Sequence, residues 1–127
     1  MKRYSRFSHL IQLMGTLGPD AELGQLSSST WHPLVDIYER DEAIVVVVEL
    51  PGVEKSQIRV TAEGDVLKIT GVRNKRIPSA TQHVHQMEIP YGPFMRSVKL
   101  PSCSDIESIQ AEYRDGYLTI EIPRMVK

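Results

Sequence analysis

The segment AIVVVVEL, residues 43–50, is the most apolar stretch of the chain, and it decides the fold class. Glu49 is its only polar residue, and most of the others are β-branched, a side-chain type that favours extended backbone. Both faces of such a strand are apolar, whereas a strand of a half-solvated sheet alternates. The segment therefore allows two predictions. Either another part of the protein covers the second face of this strand, or the strand is central in its sheet and an N-terminal arm or another subunit covers that face.

Alternation with a period of two continues on both sides of this segment. Turn residues separate further short runs in which apolar and polar residues alternate. The runs are 35–37, 58–62, 66–70, 94–100, 109–113 and 118–122. Gly64-Asp65 and Asp115-Gly116 are hairpin turn signals. Six or seven short strands without a long helical run predict an all-β fold, an immunoglobulin-like antiparallel β-sandwich.

Residues 1–30 differ in composition from residues 31–127. The apolar residues of 1–30 are only weakly periodic, and glycines and the polar linker Ser27–Thr30 interrupt them. A short amphipathic turn that needs a partner is one interpretation of residues 10–17, and a disordered tail is the other. We expect a short flexible N-terminal arm over 1–30, followed by one β-domain over 31–127.

The composition excludes several classes of protein. The 127 residues are 41% hydrophobic and 24% charged, which is typical of one soluble globular domain. Fifteen basic and sixteen acidic residues give a formal net charge of -1, so neither nucleic acid nor a membrane is an expected partner. A single cysteine, Cys103, and a start too polar for a secretory signal predict a cytoplasmic location.

The sequence contains no recognisable enzyme motif. Gly-rich phosphate loops, G-x-S-x-G, H-E-x-x-H and C-x-x-C are missing, so we expect no enzyme, no catalytic residue, no cofactor and no use of ATP. His83 and His85 can share one face of a strand, but no third ligand has a suitable spacing, and no metal site is expected. Cys103 has no identifiable histidine partner and is interpreted as passive.

Residues 73–93 form a connection far longer than hairpin loops of about 2 to 5 residues. Mild strand character around 83–89 indicates that this loop carries a short strand. Such a strand can pair with the edge of a neighbouring chain and make a dimer, which acid would loosen by charging the two histidines. The expected contacts are Val35 and Ile37 on the receiving edge, and His83, Val84, His85 and Met87 on the loop.

Arg96 interrupts an apolar face, because alternation aligns it with Phe94, Val98 and Leu100. An unpaired buried guanidinium is costly. We therefore expect Arg96 to be largely buried and to reach a carboxylate, backbone carbonyls or a subunit boundary, and we include it among the dimer contacts. Snorkelling to water at the strand end is the alternative.

Several stretches together resemble the small heat-shock protein family and its α-crystallin domain. They are WHPLVDIYE at 31–39, ELPGV at 49–53, YGPFMR at 91–96, LP at 100–101, DGYLTI at 115–120 and IP at 122–123. Their order and spacing are specific for the family. The long loop is similar to that of the bacterial and plant branch, whose dimers exchange its strand, rather than to the animal branch.

The resemblance implies an ATP-independent holdase, a chaperone that binds partly unfolded clients and suppresses their aggregation. It implies a homodimer formed by strand exchange and allows higher oligomers. It also implies a groove that accepts an apolar tail motif of another subunit. The groove residues are Ile58, Val60, Ala62, Ile109 and Ala111. A CS-type co-chaperone or scaffold module, which docks onto one folded partner, is the alternative function.

Further residues fit the family's pattern, and one element departs from it. The resemblance matches Arg96 to the arginine of the family's F-x-R element, and Ala111, Gly116 and Leu118 to its signature hairpin. The family's I-x-I or I-x-V element is not found after Pro123. We therefore expect either a trimmed tail or assembly by another route.

Overall fold

The structure, a computed structural model, describes residues 30–101 and 104–125, which form an all-β sandwich of two antiparallel sheets. Its strands are β1 (Val35–Glu39), β2 (Ala43–Glu49), β3 (Ile58–Glu63), β4 (Val66–Arg73), β5 (Gly92–Lys99), β6 (Gln110–Arg114) and β7 (Tyr117–Pro123). The fold class predicted from the alternation is confirmed. The expected arm and Cys103 lie outside the described residues. No helix within the described ranges is long and apolar enough to cross a membrane.

The two sheets contain four and three strands. Their orders are β1-β2-β7-β6 and β3-β4-β5, and each neighbouring pair is antiparallel. Strand β2, from the segment 43–50, is central, as one of the two interpretations predicted. Val45 and Val47 on its outer face are half-buried, because side chains of β1 and β7 flank them on either side. Cover of this face by the arm or a second subunit stays a prediction.

The hydrophobic core lies between the sheets. One wall contains Ile44, Val46, Val48, Leu118, Ile120 and Ile122, and the other contains Ile58, Val60, Leu67, Ile69, Phe94 and Val98. All of them are at inward positions of their strands, which recur at every second residue. Full burial of each such side chain contributes about 1.5 to 3 kcal/mol to the stability of the folded state. The sandwich is therefore stabilised mainly by this interior.

One core position accepts only glycine. Gly71 in β4 is paired with Ile58 and Phe94. A Cβ atom at this position would lie 2.2 Å from the carbonyl oxygen of Gln57 and 2.4 Å from Cζ of Phe94. Favourable contacts between carbon atoms begin at about 3.5 Å. The phenylalanine ring thus occupies the space that any side chain at position 71 would need.

The hairpin predicted at Asp115-Gly116 joins β6 to β7. The two residues have φ angles of 56° and 84°, and a type I′ turn requires positive φ at both central positions. The Gly116 carbonyl accepts a hydrogen bond from the Leu50 N–H at 2.7 Å. The Tyr113 hydroxyl donates to the Leu50 carbonyl. The hairpin therefore holds the end of β2 in place.

Candidate interaction site

The loop between β4 and β5, residues 74–91, contains no strand within the single chain. Residues 74–90 are all exposed. Four of them are large and apolar, namely Ile77 (53% exposed), Val84 (59%), Met87 (53%) and Ile89 (62%). The strand expected around 83–89 is not formed here, because a strand needs backbone partners and neither sheet supplies them. Pairing with a second chain stays a prediction.

The apolar side chains of the loop line a concave surface. The open cavity above this surface has a volume of about 520 Å³, and Arg76, His83, His85 and Tyr91 also line it. It brings together all four of the loop residues that the sequence predicted as dimer contacts. Among residues 30–101 and 104–125, no group of three or more His, Cys, Asp and Glu side chains could hold a metal ion. The loop therefore offers an apolar contact surface.

Strand β1, the predicted receiving edge, is the outer strand of the four-stranded sheet. Val35 and Ile37 share the inward face with buried residues of β2, yet Val35 is half-buried and Ile37 is exposed. The opposite sheet, which has one strand fewer, covers β2 but leaves β1 accessible. On the outer face, the Tyr38 hydroxyl donates to the Asp36 carboxylate at 3.1 Å, and this hydrogen bond raises the pKa of Tyr38. Strand β1 thus combines an accessible edge with exposed apolar side chains.

Arg96 lies on the inward face of β5, as predicted, opposite the buried Ile69. The side chain is half-buried, because β5 is an outer strand and the guanidinium can leave the core at that edge. Its Nη1 donates to the carbonyl oxygen of Pro33 at 3.1 Å. A backbone carbonyl is one of the partner types that we expected. A carboxylate from a second subunit stays a prediction.

Trp31 attaches the start of the domain to the edge of β5. Its backbone N–H donates to the Pro93 carbonyl at 3.1 Å, and its carbonyl accepts from the Met95 N–H at 3.0 Å. The indole Nε1 donates to the Gly92 carbonyl at 3.1 Å, and the indole lies 5.4 Å from the Phe94 ring. The chain therefore occupies this part of the β5 edge itself, whereas β1 has a neighbour on one side only within the described residues.

Sequence reasoning missed the role of Arg73, the last residue of β4. Its guanidinium lies over the ring of Trp31 and also makes a cation–π contact with the ring of Tyr91. These residues come from three separate parts of the chain, so no local pattern could indicate the contact. Only the presence of Trp31 and Tyr91 within the family-like stretches could have drawn attention to them.

The predicted groove residues belong to β3, to β6 and to the residue before β6. Strands β3 and β6 stand at the ends of their sheets. Ile58, Val60, Ile109 and Ala111 are buried in the core, whereas Ala62 is half-buried and packs against it. A docking segment would therefore meet the strand edges and Ala62 before the other side chains. The groove assignment stays a prediction.

Residues 36–127 match the Hsp20/alpha crystallin family. The chain is 31% identical to a 22.7 kDa class IV heat shock protein of Pisum sativum over 94% of its length and 61% of the pea protein. It is 30% identical to an 18.0 kDa class I heat shock protein of Daucus carota, over 89% of this chain and 72% of the carrot protein. Small heat shock protein C4 of Rickettsia felis is 36% identical, over 72% of this chain and 56% of the Rickettsia protein. The chain thus spans just over half to nearly three quarters of these relatives.

Solved structures show the same architecture. A small heat-shock protein from Xylella fastidiosa, described as having a distinct high order structure, superposes with a TM-score of 0.69 at 35% identity, over 77% of this chain and 90% of that one. The hspA protein of Xanthomonas axonopodis gives 0.68 at 37% identity, over 75% and 95%. The β-sandwich, the family-like stretches of sequence and these similarities all point to the same family. The chain belongs to the Hsp20/alpha crystallin family, the small heat-shock proteins.

Proposed function

We propose that this protein is an ATP-independent holdase that binds partly unfolded client proteins and suppresses their aggregation. The family supports a chaperone role in general terms. The observation that carries the proposal is the group of exposed apolar side chains on loop 74–91, beside a core that is complete without them. Contiguous exposed apolar surface is typical of sites that bind other proteins.

Binding in this proposal needs no nucleotide. Unfolding clients expose apolar segments and strand edges, and covering them is favourable by about 25 cal/mol for each Å² of apolar surface removed from water. A protein that binds the non-native client lowers the free concentration of the species that aggregates. Apolar contact of this kind has little sequence preference, so one surface serves many clients.

The proposed working unit is a homodimer formed by strand exchange. In this arrangement residues 83–89 of one copy add to the β1 edge of the other through backbone hydrogen bonds, and the apolar side chains of the loop stay available to a client. Two features support it: the loop pairs with no strand within residues 30–101 and 104–125, and Trp31 already occupies part of the β5 edge. The single cysteine of the sequence supports a reducing, cytoplasmic location. The groove between β3 and β6 is proposed as the acceptor of a tail segment.

The holdase proposal is tested by light scattering from a heat-labile client enzyme, with and without the protein and with and without ATP. Equimolar protein is expected to lower the scattering to the same extent in both buffers. A double variant, Val84→Ser with Ile89→Ser, is expected to suppress less. The matched control replaces two exposed polar residues of the same loop, Ser79→Ala with Gln82→Ala, and is expected to suppress fully. Unchanged scattering, or suppression that requires ATP, would contradict the proposal.

A further inference from the structure

Arg73 contacts three segments that are distant from it in the sequence. Its Nη2 and Nε donate to the carbonyl oxygen of Pro90 at 2.6 and 3.1 Å, and its Nη1 donates to the carbonyl oxygen of Pro51 at 3.1 Å. The centre of the guanidinium lies 4.3 Å from the centroid of the Trp31 ring and 5.8 Å from that of the Tyr91 ring. One side chain therefore joins the end of β4, the β2 turn, the end of the loop and the start of the domain.

The chemistry of this cluster requires arginine. A guanidinium presents its donors in a fixed plane, so it can donate to two carbonyl groups while its faces lie on aromatic rings. A lysine ammonium is a compact charge on a flexible stem and cannot make the same set of contacts. Hydrogen bonds from a charged donor are also stronger than those between neutral groups. The contacts thus depend on the shape of Arg73 as well as on its charge.

We propose that Arg73 is a positioning residue that holds both ends of loop 74–91 together and couples the position of the loop to Trp31, where the predicted arm joins the domain. Arg73 precedes the loop and Pro90 and Tyr91 end it, so the bonds to Pro90 close its base. This inference deepens the proposed function, because it rests on the loop being the segment offered to a second copy. A loop with a fixed base loses less conformational freedom on pairing, so it binds more tightly.

The first experiment uses Trp31, the only tryptophan of the chain, as a spectroscopic reporter. In Arg73→Lys the emission is expected to shift to the red and acrylamide quenching to increase, because the indole loses its cover. The heteronuclear NOE at Ile89 and Tyr91 is expected to fall. Arg114→Lys, the same change at an exposed arginine at the end of β6, is the control and is expected to alter neither signal. Wild-type emission and NOE values in Arg73→Lys would overturn the proposal.

The second experiment measures the dimer dissociation constant by sedimentation over a dilution series. Arg73→Lys is expected to raise it about tenfold, and Arg114→Lys is expected to leave it unchanged. Wild-type dimer affinity in Arg73→Lys would overturn the positioning role. If the wild-type protein stays monomeric at every concentration, the exchange dimer fails, whereas the fluorescence and NOE data still decide whether Arg73 fixes the loop.

A second variant tests the proposal even if the Arg73→Lys protein does not fold. Tyr91→Leu keeps the arginine and its hydrogen bonds but removes one of the two rings. It is expected to shift the Trp31 emission less than Arg73→Lys does, and to lower the NOE at Ile89. A folded Tyr91→Leu protein with wild-type values for both signals would contradict the coupling between the loop and Trp31.

Discussion

Ile69 and Ile89 are the same residue type in opposite environments. Ile69 lies in β4 and is fully buried between the sheets, whereas Ile89 lies in loop 74–91 and is 62% exposed. Apolar side chains are buried where the topology places a second sheet above them, and the loop has no such cover. The difference indicates two roles for apolar residues in one small domain. Those of the sandwich stabilise the fold, and those of the loop are available to another surface.

The largest expected contrast comes from truncating these two isoleucines. Ile69→Ala leaves a cavity in the core and is expected to lower the free energy of unfolding by about 4 kcal/mol. Ile89→Ala removes an exposed side chain and is expected to change it by less than about 0.5 kcal/mol. Urea denaturation of the two variants at a concentration that keeps the protein monomeric measures both values. Equal losses would show that the loop is part of the core.

Gly71→Ala is expected to have the next largest effect. The added methyl group meets the Gln57 carbonyl and the Phe94 ring, neither of which can move without disturbing the core, so we expect a loss of about 3 kcal/mol. Gly64→Ala is the control, since a Cβ there meets nothing within 4 Å and the cost comes from its φ of 61° alone. That cost is about 1 to 2 kcal/mol. Similar melting temperatures for the two variants would contradict the close contact at Gly71.

The smallest expected change affects association rather than folding. Val84→Pro removes a backbone donor from the segment proposed to pair with β1, so it is expected to weaken the dimer by about tenfold or more. Val84→Ala shortens the side chain but keeps the donor, and it is expected to weaken the dimer less. Both variants are expected to unfold at the wild-type urea concentration when monomeric. A Val84→Pro protein that remains dimeric on dilution would count against strand exchange.

The sequence alone predicted much of the sandwich, because sheet structure follows local alternation. The apolar run 43–50 indicated either a strand covered on its second face or a central strand, and it is central; Asp115-Gly116 indicated the hairpin that the structure contains. Alternation also placed Arg96 on the inward face of β5. It could not show how deeply the guanidinium is buried, because burial depends on whether a strand is central or at an edge. The order of strands is set by contacts between distant segments.

The parts of the candidate site that sequence did not predict depend on tertiary contacts. Alternation identified Ile58, Val60, Ile109 and Ala111 as apolar positions, but it could not distinguish the core from the lining of an accessible groove. Nothing local indicated that Arg73 contacts Trp31, since the contact forms only when β4 and the start of the domain meet at β5. The loop was recognised by its length, although its described residues 74–91 form no strand.

The most direct test of the proposed division between sandwich and loop is amide hydrogen exchange at low and high protein concentration. If the loop pairs with a second copy, the amides of 83–89 and of β1 become protected together as the concentration rises. The amides of β4 and β7, which are paired within the chain, are protected at every concentration. Protection of 83–89 and β1 that does not depend on concentration, or that rises in only one of the two segments, would contradict the account.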